Sequence, residues 1–161
     1  MVTNQKEVDV KKPSSIPIYK VMLVRESGLS ASEKEITNPK IAASIARDYL
    51  NGCDREHFIV LLLDSRNRVT GINTVSVGSL STTVVHPREV FKPAMLANAN
   101  SVIICHNHPS GDPWPSPDDN EMFRRLILAG ELLGIKVHDA IIIGDVEHYS
   151  SQSGVTFTLP S

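Results

Sequence analysis

The sequence is poor in the features that mark several classes of protein. Its 161 residues include two cysteines, Cys53 and Cys105, neither of which has a CxxC partner, so nothing indicates a disulfide framework. No apolar run approaches the length of a membrane-spanning helix. The first residues, MVTNQKEVDVKKP, are too polar for a signal peptide. We therefore expect a cytoplasmic protein with reduced thiols and no membrane partner.

The chain also lacks an excess of charge. Its 16 basic and 18 acidic residues give a net charge of -2, so there is no overall positive charge that would attract nucleic acid. Hydrophobic residues make up 41% and charged residues 21% of the chain, which is typical of a soluble globular protein. The length fits one domain.

The apolar periodicity of the chain predicts strands and helices in alternation. Residues 1–15 are polar and predict a flexible lead-in. Helices are predicted after Asn38 and Pro39, over residues 86–98 with Pro93 kinking or shortening the element, and over residues 118–134, where Gly134 ends the helix. Strands are predicted for IPIYKVMLV (16–24), FIVLLLD (58–64), VTGINTVSVG (69–78), TTVV (82–85), SVIIC (101–105), IKVHDAIIIG (135–144) and VTFTL (155–159). We expect an α/β fold with a single mixed β-sheet flanked by helices, and FIVLLLD to be buried on both faces.

A polar stretch, HNHPSGDPWPSPDD, directly follows the strand predicted at 101–105. Residues two apart on a strand point to the same face, so His106 and His108 would present both imidazoles to one point, while Asn107 points away. Neutral imidazole is a good zinc ligand, and a catalytic zinc takes three protein ligands. A carboxylate from a neighbouring helix would complete such a site.

Asp119 is the candidate for that carboxylate, and Asp112 is a rival within the loop. Ser116 fits the N-cap of a helix, Pro117 its first position and Asp119 its third, which is a capping box that needs no metal. Capping and ligation are compatible, because Ser116 can cap the helix or direct its hydroxyl to a metal site. From the residues alone, both a metal site and a polar loop before a capped helix stay open.

The spacing of His106, His108, Ser116 and Asp119 resembles the JAMM (MPN-plus) metalloprotease signature. The stretches VLLLDSRNRV, GSLSTTVVHPREVFKPAMLANA and GIKVHDAIIIGD closely resemble the RadC family, over about residues 38–151. The resemblance implies one RadC-like JAMM domain, assigned to residues 16–161, with a JAMM/cytidine-deaminase-like architecture.

For the site, the resemblance implies a zinc-dependent hydrolase of the metallopeptidase or isopeptidase kind. His106, His108 and Asp119 would ligate one Zn²⁺ per chain, and Ser116 would help to stabilise the tetrahedral intermediate. Glu56, two residues before FIVLLLD, would be the general base. Residue chemistry alone does not favour it over other glutamates of the chain. The implied partner is a peptide or isopeptide substrate.

The chain departs from the family pattern at three points. Asn107 lies where many JAMM proteases have Ser or Thr, and Ala140 follows Asp139 where RadC relatives usually have histidine. About 38 residues precede the domain, too few for the helix-hairpin-helix domain that RadC proteins usually carry, so a short stand-alone form is expected.

Several secondary expectations accompany this assignment. Asp139 is a candidate to orient a histidine ligand, and Cys105 is expected to point away from the metal. Trp114 would either line a substrate groove or make a simple lid contact. Pairing of sheet edges would give a homodimer. The alternative function is DNA-repair-associated DNA binding or a non-catalytic interaction module, although the charge of the chain does not support nucleic acid as a partner.

Overall fold

The computed structural model of the protein describes residues 15–78 and 85–159. Within these ranges lie three helices, α1 (Pro39–Leu50), α2 (Pro87–Leu96) and α3 (Pro117–Leu133). The same ranges contain six strands, β1 (His57–Leu63), β2 (Val69–Val77), β3 (Ser101–Asn107), β4 (Lys136–Ile143), β5 (Glu147–Ser150) and β6 (Val155–Thr158). They form one sheet in the order β2-β1-β3-β4-β5-β6. Only β3 and β4 pair in parallel, so the predicted single mixed sheet is confirmed.

Two apolar cores lie on opposite faces of the sheet, because successive side chains of a strand point to opposite faces. On one face α1 packs against residues that include Ile59, Leu61 and Cys105. On the other face α2 and α3 pack against residues that include Phe58 and Val60. As its unbroken apolar sequence predicts, β1 is therefore buried on both faces.

Strand β3 is longer than the predicted SVIIC, because His106 and Asn107 continue it. It pairs antiparallel with β1, and Phe58 lies opposite His106 in the last pair at this end. The residues that precede β1 and those that follow β3 therefore meet at the same end of the sheet.

Helix α3 begins and ends as its sequence predicts. Ser116 is the N-cap and Pro117 the first residue, and both hydrogen bonds of the capping box with Asp119 are present. Gly134 ends the helix in the left-handed region at φ 70°, where a residue with a Cβ is strained. The helix backs closely onto the chain that leads into β4, since a Cβ on Gly130 would lie 2.5 Å from the Ile135 carbonyl oxygen. The absence of a side chain at Gly130 therefore permits the close packing of the C-terminal part of α3 against the start of β4.

The prediction of a strand over residues 16–24 is wrong. The segment has no strand assignment, and its apolar side chains are exposed, with Ile18 at 98% and Tyr19 at 81%. Alternating apolar residues favour an extended chain, but a strand also needs a neighbour to accept and donate its backbone hydrogen bonds.

Other differences are smaller. Strand β5 was not predicted, because its sequence EHYS is short and has no apolar alternation. Pro93 lies inside α2, which ends three residues later at Leu96. The predicted strand TTVV lies outside the described residues except for Val85, and the polar lead-in does so except for Ser15. Among the described helices, none is both long and apolar enough to cross a membrane.

Candidate metal centre

Four side chains converge where β3 ends: Glu56, His106, His108 and Asp119. One possible ligand atom from each lies within 4.8 Å of the other three. The two histidines come from the end of β3 and its continuation, Asp119 from the first turn of α3, and Glu56 from the residue before β1. The site therefore depends on the pairing of β1 with β3 and on the capped start of α3.

The distances between three of these groups fit one metal ion. His106 Nε2 lies 3.0 Å from His108 Nε2 and 3.3 Å from Asp119 Oδ1, and His108 Nε2 lies 3.5 Å from Asp119 Oδ2. Ligands at zinc-like bond lengths in tetrahedral geometry are about 3.3 Å apart. Glu56 Oε1 lies farther out, 4.0 Å from His106 Nε2. The three closer groups could hold a metal, with Glu56 beside it.

Asp119 is fixed in place by the helix that it caps. Its Oδ2 accepts hydrogen bonds from the Ser116 backbone N–H at 2.8 Å and from the Ser116 hydroxyl at 2.7 Å. Burial raises the pKa of Asp119, but hydrogen bonds from His106, His108 and Ser116 outweigh that effect and hold the pKa well below its usual range. The carboxylate is thus ionised and oriented toward the histidines, as a metal ligand must be.

His108 is oriented by the loop that follows it. Its Nδ1 lies 2.7 Å from the backbone carbonyl oxygen of Asp112, which leaves Nε2 directed at the cluster. The hydrogen bond with Asp119 raises the pKa of His108, and the Asp112 carbonyl adds to this effect against the opposing effect of burial. Asp112, the rival ligand, contributes only this backbone carbonyl, because its carboxylate is not one of the four clustered groups and accepts a hydrogen bond from the Trp114 N–H.

His106 is held by packing. The side chain is fully buried, with the rings of Phe58 and Phe123 at centroid distances of 5.9 and 5.8 Å. Its Nδ1 has no hydrogen-bond partner in the described part of the chain. Packing against two aromatic rings therefore orients the His106 imidazole, whereas a hydrogen bond with a backbone carbonyl oxygen orients that of His108.

The remaining candidates lie outside the cluster. Asp139 does not have the role expected of it, since its carboxylate accepts hydrogen bonds from Ser150 at the end of β5 and from Ser151 and Gln152 in the turn that follows. Trp114 is 55% exposed and packs on Tyr149. Cys105 points into the α1 core as expected, and burial raises the pKa of its thiol well above the usual value.

Asn107 has a contact that sequence reasoning missed. Alternation along β3 correctly directs its side chain away from the histidines, but the amide binds the backbone of Arg55 and His57, on either side of Glu56. Only the pairing of β1 with β3 brings residues 50 positions apart together here. No local signal in the sequence could have revealed the contact.

Comparison with known proteins finds one family model and several relatives that match most of this chain. A family model described as the RadC-like JAB domain matches residues 36–155. A UPF0758 protein of Caldanaerobacter subterraneus is 42% identical over 136 residues, 84% of this chain and 57% of that protein. A UPF0758 protein of Desulfitobacterium hafniense is 48% identical over 71% of this chain and 51% of that protein. One of Desulforudis audaxviator is 51% identical over 68% of this chain and 48% of that protein. The chain thus spans about half the length of the curated relatives that it matches.

Proposed function

Because the chain belongs to the RadC-like JAB domain family, we propose that it is a zinc-dependent hydrolase of amide or isopeptide bonds. One observation carries the proposal. The two imidazole Nε2 atoms lie 3.0 Å apart, each lies 3.3–3.5 Å from one oxygen of the Asp119 carboxylate, and the Glu56 carboxylate stands just outside them. Catalytic zinc sites combine three protein ligands with an open position in this way, whereas structural sites are closed by four.

His106, His108 and Asp119 are the proposed zinc ligands, one ion per chain. Imidazole with carboxylate is a common donor set for catalytic zinc. Zinc, when bound, lowers the pKa of water to near 7 and polarises a carbonyl oxygen.

Glu56 is the proposed general base. Its side chain is 16% exposed, and its Oε1 lies 4.0 Å from His106 Nε2, farther than the three proposed ligands lie from one another. From there it takes a proton from the attacking water and delivers it to the nitrogen of the leaving amine, so that one group acts as base and then as acid. The amide bond breaks and a carboxylate and an amine leave the site.

Ser116 is the proposed donor to the oxyanion of the tetrahedral intermediate. Its hydroxyl can donate one hydrogen bond, which in this structure goes to Asp119 Oδ2. Stabilising an oxyanion therefore requires the hydroxyl to turn from Asp119 toward the substrate, where a donor of this type lowers the barrier.

To test this proposal, the zinc-loaded chain is incubated with internally quenched fluorescent peptides and with lysine-linked isopeptides, and their hydrolysis is measured. We expect cleavage of at least one class, loss of cleavage after metal removal with a chelator, and recovery when zinc is restored. Zinc-loaded protein that cleaves neither class would contradict the proposed activity.

Zinc affinity should fall as the pH is lowered. A proton on His108 competes with zinc, and its raised pKa keeps the imidazole protonated to higher pH than an ordinary histidine. The pKa of Asp119 is lowered, so that group adds no competition in the same range. Below the pKa of His108 we expect affinity to fall at least about tenfold per pH unit, because zinc must displace the His108 proton. Competition titrations against a chelator from about pH 5.5 to 7.5 measure this, and a flat profile would exclude His108 as a ligand.

A further inference from the structure

Asn107 stands between the two histidine ligands in sequence but faces the other way. The residue is 9% exposed, and both polar atoms of its amide are hydrogen-bonded to the backbone. Oδ1 accepts a hydrogen bond from the His57 N–H at 2.7 Å, and Nδ2 donates one to the Arg55 carbonyl at 2.9 Å. The residue between those two groups is Glu56.

These two side-chain hydrogen bonds take the place of backbone pairing between β1 and β3 beyond the end of their ladder. The pairing of β1 with β3 stops at Phe58 and His106, one residue short of His57. Beyond that point the Asn107 amide provides the donor and the acceptor that a neighbouring strand would have provided. From the other side, the Gly78 N–H donates to the Glu56 carbonyl at 2.8 Å. The backbone around Glu56 is thus hydrogen-bonded on one side to Asn107 of β3 and on the other to Gly78, the residue after β2.

We propose that Asn107 is a positioning residue that holds Glu56 in place for proton transfer. The inference rests on the proposed function, in which Glu56 is the base. A general base must lie within hydrogen-bond reach of the proton that it takes. Arg55 and the residue before it are exposed and lie outside the strand pairing, so on the β3 side the Asn107 amide extends the order of the sheet beyond Phe58 to the backbone on either side of Glu56. An error of about 1 Å in the position of a catalytic group costs about 100-fold in rate.

The experiment compares Asn107→Ala and Asn107→Asp with wild type, with Asn73→Ala as the control. Asn73 is an exposed asparagine on β2 of the same sheet. Asn107→Asp conserves the size of the side chain and the acceptor for His57 but places an acceptor where Arg55 needs a donor, so it breaks that contact without opening a cavity. Asn107→Ala breaks both contacts without adding a charge. The probes are zinc alone and the peptide or isopeptide that the wild type cleaves.

Both Asn107 variants should retain one zinc per chain and lose about 100-fold in kcat, the cost expected for a displaced catalytic group, with KM within about twofold of wild type. In Asn107→Ala the His57 amide proton should also exchange faster, because its acceptor is gone. In a Glu56→Gln background, adding Asn107→Ala should cause no further loss of kcat, since the group that it positions is no longer a base.

Three results would overturn the proposal. Unchanged kcat with faster His57 exchange would make the contact purely structural. Loss of zinc would show that Asn107 acts on the ligands, and an equal loss of kcat in the Glu56→Gln background would show that it acts on another group. Zinc-loaded wild type that cleaves no peptide or isopeptide would instead remove the proposed function and this role with it.

Discussion

Glu56→Gln is expected to retain one zinc per chain and to lose at least about 100-fold in kcat, the lower end of the contribution of a general base. The amide of glutamine has nearly the shape of the carboxylate but cannot accept the proton of the attacking water. Glu56 Oε1 lies 4.0 Å from His106 Nε2, outside the short distances among the three proposed ligands, so its replacement should leave the metal in place. Metal content and turnover of the same preparation measure both effects.

Glu147→Gln is the matched control for this prediction. It removes the same charge from an exposed residue at the start of β5, so its turnover should equal that of wild type. Wild-type turnover in Glu56→Gln would remove Glu56 from the mechanism. Loss of zinc from that variant would make Glu56 a ligand instead.

Asp119→Ala is expected to weaken zinc binding by more than about 100-fold, because loss of a ligand should exceed the roughly 10- to 100-fold cost of losing a residue that orients a ligand. Ser116→Ala is the informative comparison. It removes the hydroxyl that binds the Asp119 carboxylate and caps α3, so it should cost about 1 kcal/mol of stability and only about tenfold in zinc affinity.

The two variants separate capping from ligation, since both disrupt the capping box of α3. Zinc affinity by competition with a chelator and the free energy of unfolding by urea denaturation are measured on each. Equal zinc affinities in Asp119→Ala and Ser116→Ala would mean that Asp119 serves the helix alone. Stoichiometric zinc in Asp119→Ala, at wild-type affinity, would exclude it from the ligand set.

Much of the fold could be predicted from local patterns. The apolar run FIVLLLD predicts a strand buried on both faces, and β1 is one, because the two cores lie on either side of it. Ser116, Pro117 and Asp119 predict the start of α3 residue by residue, since a capping box is a local arrangement. The segment at 16–24 shows the limit of this reasoning, because pairing depends on a partner strand that its own residues do not specify.

The site was predictable only in part for the same reason. The i, i+2 spacing of His106 and His108 directs both imidazoles to one point, and their Nε2 atoms are 3.0 Å apart. Glu56 has the sequence context of an exposed turn, and its position depends on the register of β1 against β3. It was found through family resemblance, whereas the Asn107 contact with its backbone needed the structure.

The metal content per chain, measured by mass spectrometry on wild-type protein purified without a histidine tag, tests the central claim most directly. We predict about one zinc per chain, as purified or after reconstitution with one equivalent of zinc. Protein that binds no metal even after reconstitution would contradict the account. The stretch from His106 to Asp119 would then be a polar loop and a helix cap, and a non-catalytic binding module would be the better description of the domain.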